Sequence, residues 1–148
     1  MDNSNPIKFM TGYVTVRPFG GMSIPVPIQN MILRNYCAGF KAQYILPMNE
    51  HKFDDCYMQF FATIAAAQEG AHIILCSSSM LPQSPFLYAE AKQRILEKKL
   101  TIHFIFDNLK IDNEQSFEDL ESVIKLRSMT DYIDNHAHEL REFLTAYI

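Results

Sequence analysis

The chain has 148 residues, of which 48% are hydrophobic and 20% charged, and its net charge is −4. This length and composition are typical of one soluble domain that needs no disulfide or metal to complete its core. The basic residues are scattered, whereas nucleic-acid-binding proteins usually gather them, and no apolar stretch approaches the roughly 20 residues of a membrane span. We therefore expect a single domain over residues 1–148, without a nucleic-acid or membrane partner.

The N-terminus and the cysteines favour a cytoplasmic protein. Residues 1–6 are polar and acidic, unlike the cationic start of a secretory signal. Cys37, Cys56 and Cys76 lie far apart in the chain and show neither the zinc nor the redox spacing. Reduced thiols in a cytoplasmic protein without a cofactor are the expectation.

Strands and helices alternate along the chain after an N-terminal tail of residues 1–10. Apolar residues at i, i+4 spacing predict helices, and short apolar runs predict strands that are covered on both faces. In chain order we expect a strand at 12–17, a helix at 28–39, a strand at 43–46, a helix at 53–68 and a strand at 71–76. There follow a serine loop at 77–82, a helix at 85–99 capped by Ser84, a strand at 100–106, and helices at 116–127 and 130–147.

Strands that are separated by helices form parallel sheets through right-handed crossovers. The alternation therefore predicts a small three-layer α/β domain of the flavodoxin or resolvase type, with strand order 2-1-3-4. Residues 11–111 form its core, and residues 116–148 add C-terminal helices. The last helix is amphipathic, so it either packs across the domain or joins two copies in a homodimer. Its apolar residues are Tyr132, Ile133, Leu140, Phe143, Leu144 and Tyr147.

Arg17 stands at the predicted end of the first strand and is followed by Pro18, Phe19 and two glycines. In open parallel sheets, ligands bind outside the carboxyl ends of the strands where the strand order reverses, here between the first and third strands. A guanidinium at that place is suited to hold a carboxylate or phosphate through two parallel hydrogen bonds. The alternative is an ordinary surface arginine at the end of a strand.

Other polar residues are expected near the same rim of the sheet. Glu50, Asp107 and, on the third helix, Glu90 are candidate catalytic carboxylates, unless they are solvated surface groups. The serines are candidate ligand donors, unless they only cap the next helix. The candidate ligand-binding residues are Arg17, Phe19, Gln29, Asn30, His51, Ser77, Ser78, Ser79 and Asn108.

Signals for metals and cofactors are weak in this chain. His136 and His138 resemble part of a metal motif, but residues two apart on a helix point to different sides. His72 and His103 fall inside predicted strands, where packing or hydrogen bonding is the expected role. Because the two glycines after Phe19 lack the rest of a nucleotide-binding fingerprint, we expect no metal site and no cofactor.

Several short motifs together resemble the sporadic carbohydrate cluster protein family, found among bacterial genes for surface polysaccharides and unusual sugars. The resemblance covers about residues 12–111, and its motifs are Gly12-Tyr13, Arg17-Pro18-Phe19, Ile28-Gln29-Asn30, Leu33-Arg34-Asn35-Tyr36-Cys37, Cys56-Tyr57, Leu81-Pro82 and His103-Phe104. The triple serine and Asp107 depart from the family pattern. The resemblance implies a role in sugar biosynthesis, with an acidic or phosphorylated sugar at the rim and Glu50 or Asp107 transferring protons.

Two further resemblances supply alternatives. The order of elements is similar to serine recombinase catalytic domains, but these need a serine nucleophile where this chain has Arg17 and Pro18, so recombinase activity is not expected. Nucleoside deoxyribosyltransferases and nucleotide N-glycosidases are similar in having a catalytic glutamate on a later helix, a place that Glu90 would take. A third interpretation is a non-catalytic module that dimerises through residues 116–148.

Overall fold

The computed structural model describes residues 5–146, and within this range the strands form one sheet in the order β2-β1-β3-β4-β5. The strands are β1 (Phe9–Gly12), β2 (Gln43–Ile45), β3 (His72–Leu75), β4 (Thr101–Phe104) and β5 (Leu109–Ile111). The helices are α1 (Val26–Gly39), α2 (Met58–Ala66), α3 (Pro85–Glu97), α4 (Glu114–Asn135) and α5 (Ala137–Ala146), and a 3-10 turn spans Ser78–Met80. The predicted α/β class and the order of the first four strands are confirmed.

β5 is a strand that the sequence analysis missed. It pairs antiparallel with β4, whereas the other neighbouring strands are parallel. Asn108 has a φ of 50°, and its backbone N–H donates to the Ile105 carbonyl at 3.2 Å, which turns the chain back. Asp107 and Asn108 therefore lie in a hairpin turn and do not lead directly into a helix.

β1 begins earlier and ends earlier than the strand predicted at 12–17, and its first residues fall within the expected N-terminal tail. Beyond Gly12 the chain stays extended beside β3, where the Tyr13 N–H donates to the Ile74 carbonyl at 3.0 Å. The side chain of Gln29 then replaces a neighbouring strand. Its amide group donates to the Thr15 carbonyl at 2.6 Å and accepts from the Thr15 N–H at 3.2 Å. The strand ladder thus ends before Arg17 because a side chain takes over its pairing.

Helices cover both faces of the sheet. On one face, the Tyr36 hydroxyl of α1 lies 2.8 Å from Nδ1 of His103 in β4. On the other face, Phe60 of α2 meets Tyr13 edge to face, with ring centroids 5.2 Å apart. α2 is shorter than the helix predicted at 53–68, so Phe53, which was expected to face inward, is 73% exposed.

α4 passes through two environments. In its first half, Phe117 and Leu120 are buried, and Glu121 pairs with Lys92 of α3 at 3.1 Å. From Leu126 onward, α4 and α5 expose a series of large apolar side chains. α4 runs without the break predicted before residue 130, and Tyr147 lies outside the described residues. Between residues 5 and 146 there is no helix with the length and hydrophobicity to cross a membrane.

Candidate functional site at the rim of the sheet

Arg17 lies half-buried at the carboxyl edge of the sheet, just beyond β1. Its guanidinium donates to the Cys56 carbonyl at 2.8 Å, to Thr15 Oγ1 at 3.3 Å and to the Tyr13 hydroxyl at 3.4 Å. It also stacks over the Tyr57 ring, with its central carbon 4.3 Å from the ring centroid, in a cation–π contact. These contacts fix the plane of the guanidinium, so Arg17 is not a freely moving surface arginine.

Arg17 forms no ion pair with the carboxylates of residues 5–146. It borders a cleft of about 440 Å³, whose wall includes Asp54 and Asp55 without contact between their carboxylates and the guanidinium. A guanidinium has five N–H donors, and the three hydrogen bonds above together with the interaction with the Tyr57 side chain do not use all of them. A fixed cation with free donors is suited to bind an anionic group. The cleft is lined by Thr15, Arg17, Pro18, Phe19, Asp54, Asp55, Tyr57, Ser79, Met80 and Gln83.

Glu50, a candidate catalytic residue, is only 3% exposed. Its carboxylate accepts hydrogen bonds from the Tyr13 hydroxyl at 2.8 Å and from the backbone N–H groups of Gln59 and Phe60 at 3.1 Å. A negative charge at a helix N-terminus satisfies free N–H groups and the helix dipole. The structure therefore places Glu50 inside the protein, where it holds the start of α2, and a role in proton transfer stays a prediction.

The loop after Arg17 closes in a tight turn. Phe19 and Met22 exchange two backbone hydrogen bonds of 2.9 Å, and between them Gly20 and Gly21 have φ angles of 56° and 74°. Positive φ at both central residues is typical of a type I′ turn, which glycine adopts without strain. Phe19 is 4% exposed and belongs to the hydrophobic core, so it fixes this turn at the wall of the cleft.

Gln29 and Asn30, two further ligand candidates, are used inside the protein. Gln29 is fully buried, and besides Thr15 its amide holds the Ile24 carbonyl at 2.7 Å. Asn30 Oδ1 accepts from the Tyr44 hydroxyl at 2.6 Å. Neither residue lines the cleft beside Arg17. Their visible role is to position the segment that carries Arg17.

A second polar cluster lies beyond the ends of β3 and β4. Asp107 accepts from the Ser78 backbone N–H at 2.6 Å and from Nη2 of Arg127 at 2.9 Å. Arg127, which comes from α4, also donates to Oγ of Ser78 at 3.1 Å and to Oγ of Ser79 at 2.8 Å. Ser77 Oγ accepts from the Ser79 N–H at 3.1 Å and so caps the 3-10 turn. The predicted serines and Asp107 do meet, but around an internal ion pair.

Three other candidates lie away from the cleft. Glu90 on α3 forms an ion pair with Arg94, one turn later, at 2.6 Å. His51 is exposed, and its ring lies beside that of Phe53. Asn108 is exposed in the hairpin turn before β5. None of these three lines the cleft beside Arg17, and their functional roles stay predictions.

Tyr57 and Arg127 lie at the rim but were not predicted as site residues. Burial raises the pKa of Tyr57 and the Arg17 cation lowers it, with burial the larger effect, so its hydroxyl is protonated at neutral pH. Arg127 follows Phe117, Leu120 and Ile124 at helical spacing, and this spacing would have placed it on the face of α4 that packs on the domain.

No group of three or more His, Cys, Asp or Glu side chains that could hold a metal ion occurs in the described part of the chain. Nδ1 of His136 lies 2.8 Å from the Tyr132 carbonyl, one turn earlier on the helix. His138 lies 3.4 Å from Glu142, so the two histidines have different neighbours.

Comparison with known proteins finds similarity at the level of the fold. No family model and no curated protein matches the chain. Among solved structures, the chain is similar to a resolvase family site-specific recombinase from Streptococcus pneumoniae, with a TM-score of 0.56 and 9% identity over 91% of this chain and 97% of that chain. It also matches the N-terminal catalytic domain of TP901-1 integrase, with a TM-score of 0.48 and 12% identity over 90% of this chain and 98% of that chain.

These findings correct the functional expectations. The predicted role in sugar biosynthesis, with a sugar as ligand, is wrong, because a solved structure that shares this fold is a recombinase. The glycosidase interpretation is also wrong, and Glu90, its expected nucleophile, lies in an ion pair outside the cleft. The exclusion of a nucleic-acid partner is overturned by the same comparison. Membership of the sporadic carbohydrate cluster family stays a prediction, and the chain has a resolvase-type α/β fold.

Proposed function

We propose that this chain is a homodimerising module of the resolvase fold, in which α4 and α5 of two copies pair. The observation that carries this proposal is a second apolar face on these helices. Its members follow one another at alternating spacings of three and four residues, which is the pattern of a coiled-coil seam. The seam consists of Leu126, Met129, Ile133, His136, Leu140 and Phe143.

The seam is a different face of α4 from the one that packs on the domain. Phe117 and Leu120 are 1% and 0% exposed, whereas Leu126 and Ile133 are 63% and 52% exposed. At 3.6 residues per turn, Leu126 lies about 120° around the helix from Leu120. A helix that buries one face and exposes a second apolar face offers a surface for association.

A second copy of the same helix fits this surface. Two identical seams meet without a row of like charges, because only two of the seven flanking residues are charged, and their charges are opposite. The flanking residues are Lys125, Thr130, Tyr132, Ala137, Glu139, Leu144 and Ala146. Charge repulsion therefore does not oppose self-association along the seam.

Sedimentation velocity tests the dimer with a matched pair of variants. Ile133→Asp places a charge in the seam and is expected to give monomers, because the carboxylate would lose its water in the interface. Asn135→Asp adds the same charge two residues away, outside the seam, and is expected to remain dimeric. A wild-type protein that stays monomeric up to about 100 μM would contradict the proposal.

A second candidate activity rests on the cleft beside Arg17, which we propose binds a phosphodiester of nucleic acid. Arg17 is half-buried, oriented by Tyr57 and Cys56, and forms no ion pair among residues 5–146. Arginine is well suited to phosphate recognition, because its guanidinium stays charged and donates charge-assisted hydrogen bonds. A solved structure of the same fold is named a site-specific recombinase, and recombination is a reaction of DNA.

The hydroxyl groups at the rim support a role in binding DNA without cleaving it. Thr15 Oγ1 accepts from both the backbone N–H and Nε of Arg17, at 3.2 and 3.3 Å, and the residue is 1% exposed. Ser79 Oγ accepts from Arg127 at 2.8 Å. Neither hydroxyl has a general base among its contacts, which a nucleophilic hydroxyl needs. A net charge of −4 makes any such binding weak and sensitive to salt.

Fluorescence anisotropy with labelled duplex and single-stranded DNA tests the phosphodiester site. Arg17→Met is expected to lower the affinity at least about tenfold at about 50 mM salt and to reduce the salt slope by about one. Arg94→Met removes an exposed arginine on α3 and is the control, which should bind as the wild type does. Equal affinity of wild type and Arg17→Met would refute this activity.

We place the protein in the cytoplasm. Cys37, Cys56 and Cys76 are all free thiols. Burial raises the pKa of the Cys76 thiol to about 11, so this thiol stays protonated and inert at neutral pH. Free thiols persist in a reducing compartment, which supports this assignment.

A further inference from the structure

We propose that the dimer is sensitive to pH, because His136 occupies the middle of the seam and its protonation separates the two copies. This inference rests on the proposed homodimer and adds a means of regulation to the same surface. Histidine is the side chain whose charge ordinarily changes between pH 5 and 8.

His136 is the single residue that joins α4 to α5. Its φ and ψ are −113° and 12°, so the helix is locally distorted. Helical bonding nevertheless spans the junction, since the His136 N–H donates to the Tyr132 carbonyl at 3.1 Å and the Leu140 N–H donates to the His136 carbonyl at 3.0 Å. The seam therefore continues through His136 from α4 into α5.

The hydrogen bond of the ring decides which nitrogen takes up a proton. The His136 ring stacks on the Tyr132 ring with centroids 4.1 Å apart, and its Nδ1 lies 2.8 Å from the Tyr132 carbonyl. A carbonyl can only accept, so Nδ1 carries the hydrogen and the neutral ring has a bare Nε2. Protonation therefore occurs at Nε2, on the side of the ring away from this hydrogen bond.

Pairing of two seams removes water from the His136 ring. In one chain His136 is half-exposed, with the exposed side chains of Ile133 and Leu140 before and after it in the seam. When a second copy covers these apolar neighbours, the imidazolium loses hydration, and the neutral ring loses much less. The dimer therefore binds fewer protons than two separated chains.

The symmetry of the pair brings the two imidazoles close together in either orientation. In a parallel pair in register, each seam residue faces its own copy, so His136 faces His136 of the second chain. In an antiparallel pair that overlaps over residues 126–143, His136 faces Ile133, and the two rings lie about one turn apart. Two imidazolium ions at either separation repel each other, which adds to the desolvation.

The other charged groups near His136 come from α4 and α5 themselves. Glu139 flanks the seam and favours the protonated ring, but it is exposed and reachable by water and salt. The groups on the outer side of the helix are Asp131, Asp134, His138 and Arg141. Because exposed charges are screened, desolvation of the ring dominates.

The expected change in affinity follows from proton linkage. Because the dimer binds fewer protons than two separated chains and two rings contribute, lowering the pH from 7.5 to 5.5 is expected to weaken the dimer at least about tenfold. The buried His103, whose pKa is about 4, makes the folded domain less stable at pH 5.5 than at pH 7.5, so the fold is checked at both pH values.

Sedimentation velocity at pH 7.5 and 5.5 tests the inference. The wild type is expected to be dimeric at the higher pH and to dissociate at the lower one. His136→Leu should be dimeric at both values, His136→Lys monomeric at both, and His138→Gln, altered on the outer side of α5, should behave as the wild type does. Circular dichroism confirms that each variant is folded.

The outcomes separate this inference from the dimer on which it rests. A His136→Leu dimer that dissociates at pH 5.5 as strongly as the wild type overturns the pH inference and leaves the dimer in place. A wild type that is dimeric and unchanged at pH 5.5 does the same. A wild type that is monomeric at both values overturns the dimer and the inference together.

Discussion

Two clusters at the rim of the sheet each contain an arginine and an acidic residue, but only one cluster pairs them. Beyond β3 and β4, Arg127 donates directly to Asp107 at 2.9 Å. Beyond β1, Glu50 is held by Tyr13 and by the N–H groups at the start of α2, and Arg17 reaches it only through the Tyr13 hydroxyl. We call the first cluster closed, because Asp107 neutralises its arginine, and the second cluster open, because Arg17 faces the cleft without an ion pair among residues 5–146.

The difference shows how a protein keeps a cation available for a ligand. Glu50 does not neutralise Arg17 because backbone N–H groups and a phenol already satisfy its oxygens. Arg17 is instead oriented by neutral groups, a carbonyl, a hydroxyl and the ring of Tyr57. An arginine that is fixed without a counter-charge retains its electrostatic attraction for an anion.

Removal of the buried carboxylate is expected to have the largest effect. In Glu50→Gln, the two N–H hydrogens of the new amide would lie among the O–H and N–H donors that bind the carboxylate in the wild type, so they would lack acceptors. The change also removes the negative charge of Glu50 from the start of α2. We expect the free energy of unfolding to fall by about 3 kcal/mol, measured by urea denaturation. Asp54→Asn, at an exposed position of the same segment, should change it by less than about 0.5 kcal/mol. A Glu50→Gln protein as stable as the wild type would mean that Glu50 does not hold α2.

His103 is a buried titratable residue that can be compared with the two rim clusters. His103 is 2% exposed, its Nε2 lies 2.9 Å from Nδ1 of His72, and its Nδ1 lies 2.8 Å from the Tyr36 hydroxyl. Burial, with smaller contributions from His72 and the Lys110 cation, lowers the pKa of His103 to about 4. No acidic group is among the influences on it, unlike either rim cluster.

The sign of the resulting pH effect follows from linkage. Between pH 6.5 and 4 the unfolded chain binds a proton at His103 that the folded chain does not, so stability falls as the pH falls, by on the order of 2–3 kcal/mol in all. Urea denaturation at pH 7, 5.5 and 4.5 measures this. His103→Gln should flatten the dependence, and His51→Gln, at an exposed site, should not. An unchanged dependence in His103→Gln would assign it to other groups.

These contacts show how far the sequence predicts the site. The alternation of strands and helices was enough to bring Arg17 and the serines to one rim, because strand order and crossover handedness leave few arrangements. The burial of Glu50 was not predictable, since it follows Pro47 in what looks like a solvated loop. Its environment depends on where α2 begins, and α2 begins later than its apolar residues suggest.

The strands, like the site, were predictable from the sequence only where they depend on neighbouring residues and not on contacts between distant parts of the chain. The four parallel strands lie in segments rich in apolar residues that alternate with helices, whereas β5 is three residues long and depends on the turn at Asn108 and on pairing with β4. The end of β1 depends on Gln29, twelve residues after Arg17 along the chain, whose side chain pairs with Thr15. Such long-range side-chain pairing leaves no periodic signal in the sequence.

Loss of the closed ion pair is expected to have a smaller effect than loss of Glu50. Arg127→Met leaves the Asp107 side chain, which is 14% exposed, without its cation, although the Ser78 N–H still donates to it. We expect a loss of about 1–2 kcal/mol in the free energy of unfolding, partly relieved in the double variant Arg127→Met/Asp107→Asn. Additivity of the two single changes in this cycle would show that the pair is not coupled.

Arg17→Met is expected to have the smallest effect on stability and the largest on anion binding. The change removes three hydrogen bonds and a cation–π contact, but it also removes a half-buried cation that has no counter-charge, so the two contributions oppose each other. We expect the free energy of unfolding to change by less than about 1 kcal/mol, below the cost of Arg127→Met. If urea denaturation instead shows Arg17→Met to be the more damaging variant, the Arg17 cation serves the fold, and the contrast between the open and closed clusters fails. If its stability is kept while DNA binding is lost, the open cluster is a binding site whose cation the surrounding structure holds in place without neutralising it.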